Sequence, residues 1–253
     1  LTALVLSAGG LFGAYQAGAW KHLRHVLKPD LVVGASVGAL NGWQIASDPS
    51  ADIEQSWLSP ETSSIIELKP NGNLLRGYFN PDPLLRAAKT IYEAAKPIIP
   101  FSLVVVEVPR FRSRVIPAAE VKPEHLAATC SIYLFYPNVR INGRQYTDGG
   151  MFGHLPLWAA ALQGATKIIG IDCMPKMEPW WVQTTISTLH KFGPRIPLPQ
   201  HVHILKPSEA MGHAQSAMMY DAKNIRRWID LGEQDAKREF PQAASGLKTG
   251  YNK

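Results

Sequence analysis

The chain has little that would tie it to a metal, a disulfide scaffold or a membrane span. Only two cysteines, Cys130 and Cys173, stand among its 253 residues. That count excludes a disulfide-stapled fold, and both are expected to be small buried thiols without a bridge. No Cys/His cluster has zinc-ligand spacing, so neither a metal nor another cofactor is expected. No apolar run reaches the length of a membrane-spanning helix, and no signal-peptide pattern is present. The first residue is Leu1 and not methionine. That is compatible with a targeting segment upstream, and the expected compartment is the cytoplasm or the periphery of a membrane. There is no internal repeat and no composition shift that would mark a domain boundary, so 1–253 is expected to form one domain.

What is present is enough for a sizeable core: 46% of the residues are hydrophobic. The formal net charge is +6. Such a balance fits attraction to an anionic lipid surface or to nucleic acid, and equally fits ordinary solubilising charge.

The informative region is the front of the chain. An apolar run, Leu4 to Leu6, leads into Ser7-Ala8-Gly9-Gly10-Leu11-Phe12-Gly13. A second apolar run, Leu31 to Val33, leads into Gly34-Ala35-Ser36-Val37-Gly38. Small residues around Ser36 permit a sharp strand-to-helix turn that leaves its hydroxyl exposed, the arrangement a nucleophilic serine needs. A Gly-rich loop with free N–H groups is the matching partner, because developing oxyanion charge requires preorganised donors. These two parts favour a serine acyl hydrolase.

Periodicity places the rest coarsely. Strands are expected at Thr2–Ser7, Leu31–Ala35, Leu103–Val108, Lys167–Asp172 and His201–Leu205. Helices are expected at Gly13–Val26, Val37–Ile45, Pro123–Cys130, Leu155–Leu162 and Ala214–Leu231. A further helix runs to Ala95 from Asn80-Pro81-Asp82-Pro83, where a cap residue precedes proline in the first turn. Asn142-Gly143 marks a hairpin whose second arm ends in Asp148-Gly149-Gly150. The stretch 175–199 reads as a Pro- and Trp-rich loop able to cover a site, and the tail, 241–253, is expected to fray. Strand, loop, helix, strand, turn and helix in this order begin a parallel α/β sheet.

Three of these motifs, taken in order, resemble the patatin-like phospholipase family: Ala8-Gly9-Gly10-Leu11-Phe12-Gly13, Gly34-Ala35-Ser36-Val37-Gly38 and Asp148-Gly149-Gly150. Gly13-Ala14-Tyr15-Gln16-Ala17-Gly18 and Phe135-Tyr136-Pro137 add to the likeness, which spans Leu4 to about Asp172. The resemblance implies a three-layer α/β sandwich with a mostly parallel central sheet. It also implies cleavage of lipid carboxylic esters, in the manner of a lipase, esterase or phospholipase A. Ser36 would be the nucleophile and Asp148 its base, with no histidine between them. The oxyanion would sit at Gly9, Gly10 and Leu11, and Gly13, Gly34, Gly38, Gly149 and Gly150 would support the motifs. The implied partners are a lipid or ester substrate and the surface of an anionic membrane, not nucleic acid.

Three residues depart from the family pattern. Ala8 replaces a glycine, which is harmless if its φ is negative. Phe12 replaces a basic residue, which would put apolar surface beside the oxyanion loop and favour neutral esters. His154 replaces an asparagine six residues after Asp148 and would alter how that loop is held. Phe12, Trp43 and His154, with Trp180 and Trp181, are candidate substrate contacts.

Three other readings compete, one of them a non-enzymatic lipid-binding relative, which is disfavoured because both Ser36 and Asp148 are present. An α/β-hydrolase triad could draw on His190, His201, His203 or His213, but that fold places several strands before its nucleophile. A dinucleotide-binding module could use Ala8-x-Gly10-x-x-Gly13, but it expects an acidic residue at the end of the second strand, where Gly34-Ala35-Ser36 stands.

Overall fold

Five-residue strands that are apolar throughout can only lie inside a sheet covered on both faces. The computed structural model describes residues 1–73, 77–174 and 180–241, without the side chains at 61, 70–73 and 180–183. In chain order the elements are β1 (Thr2–Leu6), α1 (Gly13–Leu23), β2 (Leu31–Ala35), α2 (Val37–Ser47), α3 (Glu54–Trp57) and α4 (Pro60–Ser63). Then come β3 (Leu68–Asn73), β4 (Gly77–Phe79), α5 (Pro81–Ala94), β5 (Phe101–Val108), β6 (Arg112–Pro117) and α6 (Pro123–Thr129). The last are β7 (Val139–Ile141), β8 (Arg144–Asp148), α7 (Leu157–Leu162), β9 (Lys167–Ile171), α8 (Trp180–His190), β10 (His201–Leu205) and α9 (Ala222–Glu239).

The main sheet is mixed and mostly parallel. Its order is β10-β9-β1-β2-β5-β8-β7, and β6 also pairs with β5. β10, β9, β1, β2 and β5 are parallel neighbours, whereas β6, β7 and β8 join antiparallel. Side chains alternate between the faces at a period of two. Leu4, Leu6 and Val32 go to the larger core with α1, α2, α5, α6 and α9, while Ala3, Val5 and Val33 go to a smaller core under α7. The result is the expected three layers, unequal in weight. α1 and α9 approach closely at Gly18 and Gly232, where a Cβ would run into the backbone of Ile229 and of Tyr15. No helix among the described residues is long and apolar enough to cross a membrane.

β5 organises the site. Residues Ser102 to Glu107 pair with β6 along one edge. On the opposite edge β2 pairs up to Val104 and β8 takes over at Val105, with register Ala35↔Val104 and Asp148↔Val105. The ends of β2 and β8 therefore meet head-on along one strand.

Several elements differ from the sequence reading. α1 stops at Leu23, and the chain turns through Arg24 to Val26. α7 starts at Leu157, after Pro156. The stretch expected to be loop contains α8, eleven residues without glycine or proline. The last long helix begins at Ala222, capped by the Asp221 carboxylate accepting the Asn224 N–H at 2.7 Å, and only a short 3-10 turn stands at Ala214–Ala217. The hairpin at Asn142-Gly143 forms as expected, with positive φ at both residues. Residues 242–253 of the expected tail lie outside the described residues.

Candidate active site

β1 and β2 are parallel neighbours, so the loops after them share the carboxyl edge of the sheet, where α/β folds place ligands. Ser36 sits in the turn from β2 into α2 with φ 52° and ψ −132°. A residue with a side chain occupies that region only when its surroundings impose it. Here the first turn of α2 presses on the end of β1. A Cβ at Gly38 would lie 2.5 Å from the carbonyl oxygens of both Leu6 and Ser7. The Ser36 N–H, an orphan donor at a helix start, donates to Thr129 Oγ1 at 2.9 Å. The Thr129 hydroxyl in turn donates to the Val104 carbonyl at 2.6 Å, where β2 leaves the ladder.

Asp148 ends β8 and is buried. Its carboxylate accepts the Gly150 N–H at 2.7 Å, and its own N–H donates to the Ser131 carbonyl at 3.0 Å. Burial raises its pKa to about 6, and hydrogen bonds from the Ser36 hydroxyl and the Gly150 N–H keep it from rising further. Gly149 donates to the Thr129 carbonyl at 3.2 Å. Thr129 thus ties the serine turn to the aspartate turn from between them. The sequence reading missed it, because a threonine ending a short helix carries no mark of such a role.

The Gly-rich loop makes a 3-10 turn over Gly10–Phe12, with Gly10 at φ 55° facing the Ala217 carbonyl. Among the described residues no backbone acceptor takes the N–H of Gly9 or Gly10. A buried network holds the loop from behind. Gln16 donates to the Ser7 carbonyl at 2.8 Å, and Asn41 donates to Gln16 Oε1 and to the Gly13 carbonyl, both at 3.0 Å. Gly13 lies under Val37 and Trp57. Ala8 is not among the residues with positive φ, so its replacement of glycine is harmless, as expected.

Gly10, Leu11 and Ser36 line one cavity of about 480 Å³. Its walls are mostly apolar, with Leu40, Trp57, Ile65, Leu84, Ile91 and Tyr136 among them; Ser56, Ser59 and Thr62 add hydroxyl-bearing residues, and Arg86 and Thr90 lie at the exposed rim. Both cysteines are free; Cys173 is buried in the core, whereas Cys130 lines the cavity. Burial and the charge of Asp148 hold the Cys130 thiol well above its usual pKa, against a hydrogen bond with Ser36, so it stays protonated. Among the described residues no histidine lines the cavity, and no group of His, Cys, Asp and Glu could hold a metal.

The candidate substrate contacts fall elsewhere. Phe12 is fully buried, edge-on to Trp228 at 4.9 Å, on the core side of its loop and away from the cavity. Its identity therefore gives no ground for a preference between neutral and charged esters. Trp43 is core, stacked on Tyr92 at 5.2 Å with its indole N–H on the Ala95 carbonyl. The His154 ring stacks on His190 at 5.0 Å and meets Asp172 at 3.1 Å, while the His154 carbonyl accepts the Ala8 N–H at 2.7 Å. His154 thus holds the aspartate loop to the Gly-rich loop and does not line the cavity. The side chains of Trp180 and Trp181 lie outside the described residues. None of the described residues of 175–199 lines the cavity, which α3, α5 and the segment between α4 and β3 enclose instead.

No curated protein matches the chain in sequence. Among solved structures, VipD from Legionella pneumophila aligns with a TM-score of 0.54 at 12% identity, over 94% of this chain and 66% of that one. The type III effector protein ExoU aligns with a TM-score of 0.40 at 14% identity, over 94% of this chain and 52% of that one. Human GIVD cytosolic phospholipase A2 aligns with a TM-score of 0.39 at 12% identity, over 94% of this chain and 57% of that one. The chain thus spans 52% to 66% of the length of these proteins. The first likeness concerns the fold alone. The sequence of residues 4–161 matches the family described as patatin-like phospholipase, and the chain belongs to that family.

Proposed function

We propose that this protein is a serine acyl hydrolase that cleaves carboxylic esters of lipids, with Ser36 as nucleophile and Asp148 as its general base. The observation that carries the reading is that β2 and β8 end beside one another, which sets Ser36, on the wall of the cavity, next to the buried Asp148 carboxylate, whose pKa the Ser36 hydroxyl lowers. A carboxylate with a pKa of about 6 is a stronger base than one at its ordinary value and is still ionised at neutral pH. Ser36 Oγ attacks the ester carbonyl carbon as Asp148 takes its proton. Backbone N–H groups of Gly9, Gly10 and Leu11 receive the oxyanion, each such donor being worth roughly 3–4 kcal/mol of barrier. The start of α2 adds the positive end of a helix dipole beneath the acyl group. The proton passes from Asp148 to the departing alcohol. Water, deprotonated by Asp148 in turn, attacks the acyl carbon, and as the bond to Ser36 Oγ breaks Asp148 returns that proton to Oγ and the acid departs. The cavity walls bury the acyl chain, each buried methylene contributing about 0.8 kcal/mol.

A fluorophosphonate probe should add one covalent label at Ser36, read by peptide mass spectrometry. Unchanged labelling of folded Ser36→Ala would refute the assignment. A second test addresses positioning. Thr129→Val keeps the volume but leaves the Ser36 N–H and the Val104 carbonyl without a partner, at a cost of about 1–3 kcal/mol. Because Thr129 acts through Ser36, kcat should fall at least about tenfold, since small displacements of reacting groups are costly. KM should change little, which steady-state kinetics on one soluble ester separates from a simple loss of fold.

A further inference from the structure

Beyond Val104, β5 leaves β2 behind and rises from the carboxyl edge of the sheet with β6, β7 and β8. Asp148 pairs at Val105 and the strand continues to Val108, so the tip of the β5–β6 hairpin stands about 10 Å above the reacting pair. That tip is Pro109-Arg110-Phe111, and Arg112 opens β6 beside it. Phe111 is 38% exposed and touches Tyr133 at 5.4 Å between ring centres. The chain continues from Tyr133 into Leu134 and Phe135, exposed by 44% and 47%, and Phe135 meets the half-exposed Tyr78 at 6.2 Å. Ile132 and Tyr136, at the two ends of this loop, line the cavity that holds Ser36. The exposed apolar residues and the cavity wall are therefore two sides of one loop.

Cations surround this apolar crest. Glu107 is buried and takes Arg114 at 2.7 Å and Arg110 at 3.7 Å, and Arg144 bears on the same carboxylate. Three guanidinium groups share one negative charge, so a positive excess remains. Arg112 and Arg140 are exposed nearby on β6 and β7, and Lys122 reaches the tip of the β7–β8 hairpin at the Asn142 amide oxygen, 3.2 Å away. Glu120, at the end of a 3-10 turn, and Glu124, in the first turn of α6, flank Lys122 and offset its charge, so the positive excess rests on the arginines.

We propose that this edge, formed by the β5–β6 and β7–β8 hairpin tips and the loop Tyr133–Phe135, docks the protein on an anionic bilayer. Phe111 and Leu134 enter the interfacial region and the arginines engage lipid phosphate. Aromatic side chains suit the boundary between headgroups and acyl chains, and each basic residue near an anionic surface adds attraction that falls off within a Debye length. Docking then sets the loop whose ends, Ile132 and Tyr136, form one cavity wall against the bilayer. Docking goes beyond the hydrolase reading and does not require it, because binding is measured without turnover.

The test uses the full chain carrying Ser36→Ala, sedimented with phosphatidylcholine vesicles with and without phosphatidylglycerol, at low and at high salt. Binding should require the anionic lipid and weaken with salt. R110Q/R112Q should lower the partition coefficient by about 30-fold. F111N/L134N should lower it by about tenfold or more. Both replaced residues have positive φ, which asparagine tolerates better than Phe or Leu, so the second variant is expected to fold. Circular dichroism checks both. Equal binding to neutral and anionic vesicles, or wild-type binding by both variants, overturns the proposal. So does equal affinity for a short DNA duplex with F111N/L134N unaffected, which would mark a general polyanion surface. Soluble-ester turnover, measured separately with Ser36 intact, tests the hydrolase reading, so the two can fail independently.

Discussion

Asp148→Asn lowers kcat by about 10⁴-fold, the scale of losing the proton-accepting arrangement at a serine nucleophile, and at the same time makes the protein more stable at neutral pH. The two effects have one cause. Burial raises the Asp148 pKa from 3.8 to about 6. The carboxylate is thus harder to ionise in the folded protein than in the unfolded chain. Stability linked to this group is fully present below the unfolded value, is lost as pH rises through the folded value, and is lowest above about 6. The difference corresponds to about 3 kcal/mol at neutral pH. An asparagine there carries no charge to desolvate, and its amide oxygen can still accept the Gly150 N–H. Thermal unfolding at pH 7 should show a higher Tm for the variant, with the gap closing below pH 4. The kcat/KM of the wild type should rise with pH through about 6 and then level off, because only the ionised form accepts the serine proton. A variant that keeps appreciable turnover, or a wild-type profile flat from pH 4 to 8, would remove Asp148 from its role.

Phe12→Arg, which would restore the basic residue of the family pattern, is expected to damage the fold instead of broadening substrate choice. Phe12 has no exposed surface and meets Trp228 edge-on inside the core between α1 and α9. Removing a buried phenylalanine costs about 3–5 kcal/mol, and an unpaired buried charge adds to that. In a chain of this size the Tm should fall by about 10 °C or more, or the protein should not be recovered folded. A variant whose Tm stays near that of the wild type would mean that the loop can turn the side chain toward the cavity. Phe12→Leu is the control and should cost far less, because it keeps the site apolar.

The front of the chain was legible because local and global signals agree there. The serine turn, the Gly-rich loop and the helices after them follow from small residues placed between apolar runs. The Asn142-Gly143 hairpin was legible for the same reason, since its two left-handed residues are written in the sequence. β6 was not, because Arg112 to Pro117 has no clean apolar alternation and becomes a strand by pairing with β5. β3 and β4 were missed on similar grounds; Leu68–Asn73 carries a proline and a glycine. For the site, residue types marked the proposed reacting groups but not the directions of side chains. Phe12 and Trp43 adjoin the motifs in sequence and still point into the core. Thr129 and Cys130 lie far from Ser36 in sequence, and the helix α6 carries them to it.

The meeting of β2 and β8 on one edge of β5 has a consequence for which changes the chain can absorb. The proposed nucleophile follows the end of β2 and the proposed base is the end of β8, and those two ends pair with consecutive residues, Val104 and Val105. Their separation is therefore counted in steps of a single strand, about 3.4 Å each, and owes nothing to loop length. Insertions in the connections after α2, at the β5–β6 tip or beyond α7 leave that count unchanged, so these are the places where relatives can grow lids, docking arms or extra domains. A slip of β8 by one residue along β5 has the opposite character. It would turn Asp148 to the other face of the sheet and disconnect it from Ser36, while nearly every hydrogen bond and apolar contact elsewhere stayed in place.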